Sequence, residues 1–132
     1  MTTIDKEALL ASMPLAVLLG IELQRADAEG VDGTITWASE RTTAGGVLHG
    51  GALMAFADSL GAVAAFLNLP EGAGTSTIES KTNFFRAVGE GTLTGRARPV
   101  HVGRRTIGVQ TEVRDAADKL VSLTFQTQAV LT

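Results

Sequence analysis

Two features of the chain could do chemistry. The first is Gly45-Gly46-Val47-Leu48-His49-Gly50-Gly51, which delivers two adjacent glycines to the start of a helical block. The first N–H groups of a helix lack partners and sit at the positive end of its dipole. A glycine there lets a ligand oxygen approach the backbone without a Cβ in the way. Such a site can hold a phosphate or stabilise the oxyanion of an attacked acyl group; a tight turn is the plain alternative. The second feature is Asp58, the only ionisable side chain between Gly51 and Leu67. A buried carboxylate without a partner costs several kcal/mol. Either a nearby hydroxyl or Arg satisfies it, or it is retained for a reaction.

The elements that must position these groups follow from periodicity. Residues Ile4 to Leu19 show helical spacing, divided at Pro14. From Gly20 the period becomes two, through Ile21, Leu23, Val31, Gly33, Ile35 and Trp37, with a turn at Glu29-Gly30. Thr42 to Gly51 reads as a loop and Ala52 to Leu67 as the one long helix. A second loop, Pro70 to Gly74, precedes four alternating segments: Ile78 to Arg86, Gly91 to Val102, Arg104 to Arg114 and Leu120 to Leu131. Strands joined by short turns favour an antiparallel sheet with the helix on one face, an α+β domain. With 132 residues, the chain is expected to be a single domain over 1–132, of which 1–19 form the N-terminal helical segment.

In the long helix, Leu53, Phe56, Leu60, Val63 and Leu67 form one stripe. Asp58 falls almost opposite, among Gly51, Met54, Ala55, Ala62 and Ala65. A solvent face would carry Lys and Glu; this one suits a second backbone or a ligand. Gly50 and Asp58 are eight residues apart, about 12 Å along a helix axis. Both cannot touch one carbonyl. If both serve one reaction, they come from different copies of the chain, and the domain is an obligate dimer with two composite sites.

Composition excludes other chemistry. The net charge of −3 disfavours nucleic acid, and the absence of cysteine removes disulfides, thiolate metal sites and a thiol nucleophile. His49 and His101 alone make a poor ligand set, so no metal is expected. There is no Gly-x-Ser-x-Gly elbow, and no tyrosine. No apolar run is long enough to span a membrane and no secretory signal is visible, so a cytoplasmic protein is expected. Fifteen glycines imply that backbones approach closely somewhere.

His49-Gly50-Gly51 followed by an apolar helix with an acid nine residues after the histidine resembles the hotdog-fold acyl-CoA thioesterases. The branch with phenylacetate-pathway and 4-hydroxybenzoyl-CoA thioesterases looks most similar. Thr82-Asn83-Phe84-Phe85-Arg86-Ala87-Val88 and Pro99-Val100-His101-Val102-Gly103-Arg104-Arg105 extend the likeness, which runs from about Gly20 to Leu131. The resemblance implies a curved antiparallel sheet wrapped around one central helix. It also implies homodimers joined edge to edge, paired into homotetramers. Gly50 would polarise the thioester carbonyl, Asp58 of the partner would act as nucleophile or general base, and His49 would fix the loop. Thr77 matches a hydroxyl near the attacking water. Thr43 stands where relatives carry an amide, and Ala62 where the 4-hydroxybenzoyl branch carries a hydroxyl.

Gly51, Met54 and Ala62 would meet substrate, with Met54, the loop Pro70 to Thr75 and the N-terminal helix around the acyl group. Arg86, Arg104 and Arg105, with Lys81, match positions that contact the nucleotide of CoA. No cofactor is implied, because CoA belongs to the substrate. A hotdog hydratase or dehydratase and a non-catalytic acyl-CoA binder are the alternatives. The acyl group itself is not specified by these residues.

Overall fold

The computed structural model describes residues 4–132. Residues 1–3, which open the expected N-terminal segment, lie outside the described residues. Two short helices come first, α1 (Lys6–Ala11) and α2 (Pro14–Leu18). Asp5 caps α1 by accepting from the Ala8 N–H at 3.1 Å. Pro14 opens α2, where its missing N–H costs nothing. The hairpin β1 (Glu22–Asp27) and β2 (Gly30–Thr36) follows, then α3 (Gly50–Phe66), β3 (Gly74–Phe84), β4 (Thr92–Val102), β5 (Thr106–Arg114) and β6 (Leu120–Leu131).

All strand pairs are antiparallel, in the order β1-β2-β4-β5-β6-β3. Because α3 connects β2 to β3, it crosses the inner face of the sheet and delivers β3 to the far edge. Leu53, Phe56, Leu60 and Val63 are buried against the sheet, as their spacing predicts. Each fully buried side chain of this size contributes about 1.5–3 kcal/mol. The close approach expected from the glycines occurs here. A Cβ on Gly95 would lie 2.6 Å from Leu60 Cδ1 and 2.8 Å from the Phe56 ring, and one on Gly33 would lie 2.7 Å from Leu60 Cδ2.

The boundaries differ from the sequence expectation most at three places, and by a single residue at others such as the end of α3 and the start of β4. The helix starts at Gly50 rather than Ala52, because His49 already caps it. Strand β3 begins at Gly74 rather than Ile78, and ends at Phe84 before reaching Arg86. Its first residues are polar, and their pairing with Leu131, Val130 and Ala129 of β6 holds them extended. Arg104 and Arg105 lie in the turn before β5 rather than in a strand. A bulge at Ile78 shifts the register between Thr77 and Glu79, so Ile78 is exposed while Thr77 stays opposite Gln128 and Ser80 opposite Gln126.

Candidate active site

At the N-terminus of α3, His49 has extended backbone, and its Nδ1 accepts the Gly51 N–H at 2.7 Å. That bond leaves the neutral ring with its proton on Nε2. The N–H groups of Ala52 and Leu53 go to the His49 carbonyl at 2.9 and 3.2 Å. Of the four amides that open the helix, only that of Gly50 has no partner among the described residues. The preceding loop is held by Thr43 N–H to Val47 O (2.9 Å), Trp37 Nε1 to Gly46 O (2.9 Å) and His49 N–H to Arg41 O (2.9 Å). Gly45 and Gly46 have positive φ, which side chains disfavour. Phe84 of β3 stands over Gly50, and Leu48, Leu53 and Arg86 share a hollow with them.

Two turns along α3, Asp58 is half-buried. Its Oδ1 accepts from Thr77 Oγ1 at 2.9 Å and from Gln126 Nε2 at 3.0 Å. Thr77 Oγ1 also lies within bonding distance of Gln128 Oε1, so its single proton serves one acceptor at a time. Gln126 Nε2 reaches Gln128 Oε1 at 2.9 Å, and Gln128 Nε2 donates to Thr75 Oγ1 at 3.1 Å. Oδ2 of Asp58 has no partner among the described residues.

The sequence named Asp58 and, through the resemblance, Thr77 as a hydroxyl near the attacking water; their bond to each other, and Gln126 and Gln128, were missed. A signal was present. Ser122, Thr124, Gln126 and Gln128 are polar at a period of two in a strand that must face the core, and all four are buried.

The remaining expected site residues separate. Gly51, Met54, Ala55 and Ala62 line the side of α3 that the sheet leaves uncovered, with Met54 37% exposed. Ala62 borders an apolar cleft of about 660 Å³ with Phe66, Thr75 and the Leu9 and Met13 side chains of the N-terminal segment. Met54 does not reach this cleft, because it lies two turns before Ala62, and of the loop expected there only Thr75 lines it. Thr43 is exposed in the loop.

Nor do the expected CoA-binding cations form one cluster within a chain. Arg86 adjoins the Gly50 hollow beyond one end of β3. The Arg105 carbonyl accepts from Val130, which pairs with Thr75 at the other end. At 3.3 Å per residue these ends are about 30 Å apart. Lys81 is exposed between them, on the edge strand.

An antiparallel sheet wrapped around one helix, with an amide donor at the helix start and a carboxylate held against strands β3 and β6, defines a hotdog domain. The chain belongs to the Thioesterase superfamily, whose sequence profile matches residues 45–122, a span that includes Gly50, Asp58 and Thr77. A protein of Vibrio cholerae assigned to the esterases is 40% identical over 85 residues, 64% of this chain and 57% of the relative. The 1,4-dihydroxy-2-naphthoyl-CoA hydrolase of Escherichia coli is 34% identical over 86 residues, 65% of this chain and 63% of the relative. The chain thus spans about three-fifths of the length of these curated relatives. A crystal structure of a thioesterase from Haemophilus influenzae, 29% identical, superposes with a TM-score of 0.92, covering 99% of this chain and 93% of that one.

Proposed function

We propose that the chain is an acyl-CoA thioesterase that works as a homodimer with two shared reaction centres. One observation carries this reading. The Gly50 amide, which has no partner among the described residues, and the Asp58 carboxylate lie on one helix about 12 Å apart, yet both adjoin the edge strand β3. Antiparallel pairing of β3 with the same strand of a second copy, centred near Ser80, runs Phe84 of one copy alongside Thr77 of the other. That brings the Gly50 amide of one subunit toward Asp58 of its partner. The same pairing carries Arg86 of one copy toward Arg104 and Arg105 of the other, where the phosphates of CoA would meet them.

In the reaction, the Gly50 N–H donates to the thioester oxygen as charge develops on it. The Asp58 carboxylate either attacks the carbonyl carbon or takes a proton from the attacking water. The C–S bond breaks, the thiolate leaves with CoA and is protonated, and water supplies the oxygen of the acid product. No cofactor is required. His49 fixes the loop by capping α3, and Thr77 holds the carboxylate.

The apolar cleft beyond Ala62 suits an aryl or arylacetyl group, in keeping with the aryl-CoA named for the E. coli relative. Thr43 offers substrate a single donor, where an amide would offer two. No helix among the described residues is long and apolar enough to cross a membrane. A cytoplasmic homodimer, paired into a tetramer and with no nucleic-acid partner, completes the proposal.

A panel of aryl-, arylacetyl- and straight-chain CoA thioesters, followed by thiol release, tests the activity, with crotonyl-CoA hydration as the competing reaction. The shared site is tested by complementation. Asp58→Asn and Gly50→Pro are each expected to lower kcat about 100-fold or more. Proline suits this position, because Gly50 is the first helical residue and His49 already has the extended backbone that precedes proline. Co-expressing the two variants should restore about a quarter of the wild-type sites, since half of randomly paired dimers carry one intact centre. No recovery in verified mixed dimers overturns the shared site.

A further inference from the structure

We infer that Gln126 is a positioning residue that pins Oδ1 of Asp58 through a notch left by Gly61, making Oδ2 the reacting oxygen. The inference rests on the role proposed for Asp58. Gln126 is fully buried, on β6 behind the central helix. Its Nε2 lies 3.0 Å from Asp58 Oδ1 and 2.9 Å from Gln128 Oε1, so both amide hydrogens are committed. Its Oε1 has no partner among the described residues. A buried carbonyl without a partner is unfavourable, and an apolar side chain in its place would avoid that cost.

Gly61 is a second locally unfavourable choice, since glycine in a helix interior is less stable than alanine. It stands one turn beyond Asp58, and a Cβ there would collide with the Gln126 amide. The two choices explain each other. Gly61 makes room for the amide, and the amide reaches Asp58. With Thr77 bonding the same oxygen, the carboxylate can neither rotate freely nor present Oδ1. Oδ2 is left without a partner among the described residues. Gln128, tied to Thr75, holds the amide from behind.

The test compares Gln126→Met, Gly61→Ala, the double variant and Asp58→Asn on one hydrolysed thioester, with kcat, KM and melting temperature measured for each. Methionine has the length of glutamine without its donor. Gln126→Met is expected to lower kcat about 10- to 100-fold through loss of alignment, with KM unchanged and melting unchanged or raised. Gly61→Ala should also lower kcat, and the double variant should fall no lower than Gln126→Met, because both changes act through one contact.

If Gln126→Met does not fold, Gln126→Leu takes its place. Wild-type kcat in the glutamine variant beside an inactive Asp58→Asn overturns the role of Gln126 and leaves that of Asp58 standing. Additive losses overturn the notch. Full activity in Asp58→Asn overturns the underlying reading instead.

Discussion

Strands β2, β4 and β5 meet α3 with Val31, Ile35, Leu93, Ala97, Val109 and Val113, all fully buried. Strands β6 and β3 meet the same helix with Ser122, Thr124, Gln126 and Gln128, opposite Phe84, Thr82, Ser80 and Thr77. One half of the inner face is apolar and backed by neighbouring strands. The other is polar and ends at an open edge. Apolar contacts are non-directional and stabilise in proportion to area, whereas hydrogen-bonding groups stabilise little on balance but fix orientation. The helix is therefore anchored by one half and has its carboxylate aimed by the other.

The largest effect should come from the apolar half. Phe56→Ala removes a fully buried ring seated on Gly95 and should cost about 3–5 kcal/mol of stability. Activity per folded molecule should change little, which denaturant titration and kinetics together would check. A large loss of kcat in fully folded protein would break the division between the two halves.

A smaller change of opposite sign should come from the boundary. Thr111 is fully buried on β5 beside Thr124, and its hydroxyl has no partner among the described residues. Thr111→Val should raise stability by about 1 kcal/mol and leave kcat unaltered. A lower melting temperature would mean that the hydroxyl is satisfied and the polar half is more cohesive than described.

The smallest effect lies outside both halves, at the β1–β2 turn. A hydrogen bond from Arg25, with backbone N–H groups of Glu29 and Gly30, holds the Asp27 carboxyl below its ordinary range. A lowered folded pKa contributes stability that is present above the unfolded value and is lost as pH falls through the folded one. Wild-type protein should therefore lose stability more steeply than Asp27→Asn below about pH 4. Equal acid slopes in thermal melts would remove this contribution.

Much of the fold was legible because it is written in local periods. The stripe through Leu53, Phe56, Leu60 and Val63, the break at Pro14 and the turn at Glu29-Gly30 each depend on residues a few positions apart. The glycine pair at the start of α3 and the lone Asp58 were visible for the same reason. The start of β3 was not, because Gly74 to Thr77 carry no apolar alternation and become a strand only through their bonds to β6.

The surroundings of Asp58 were decided by tertiary structure. Gln126 is 68 residues away in the chain, and only the strand order places it behind α3. The scattering of Arg86 from Arg104 and Arg105 has the same origin. Sequence by itself determined which segments curl and which extend, since those preferences are set by near neighbours. Which polar groups meet at the carboxylate, and which edge stays open, depended on how distant strands pair, because hydrogen-bond geometry exists only once the sheet has closed around the helix.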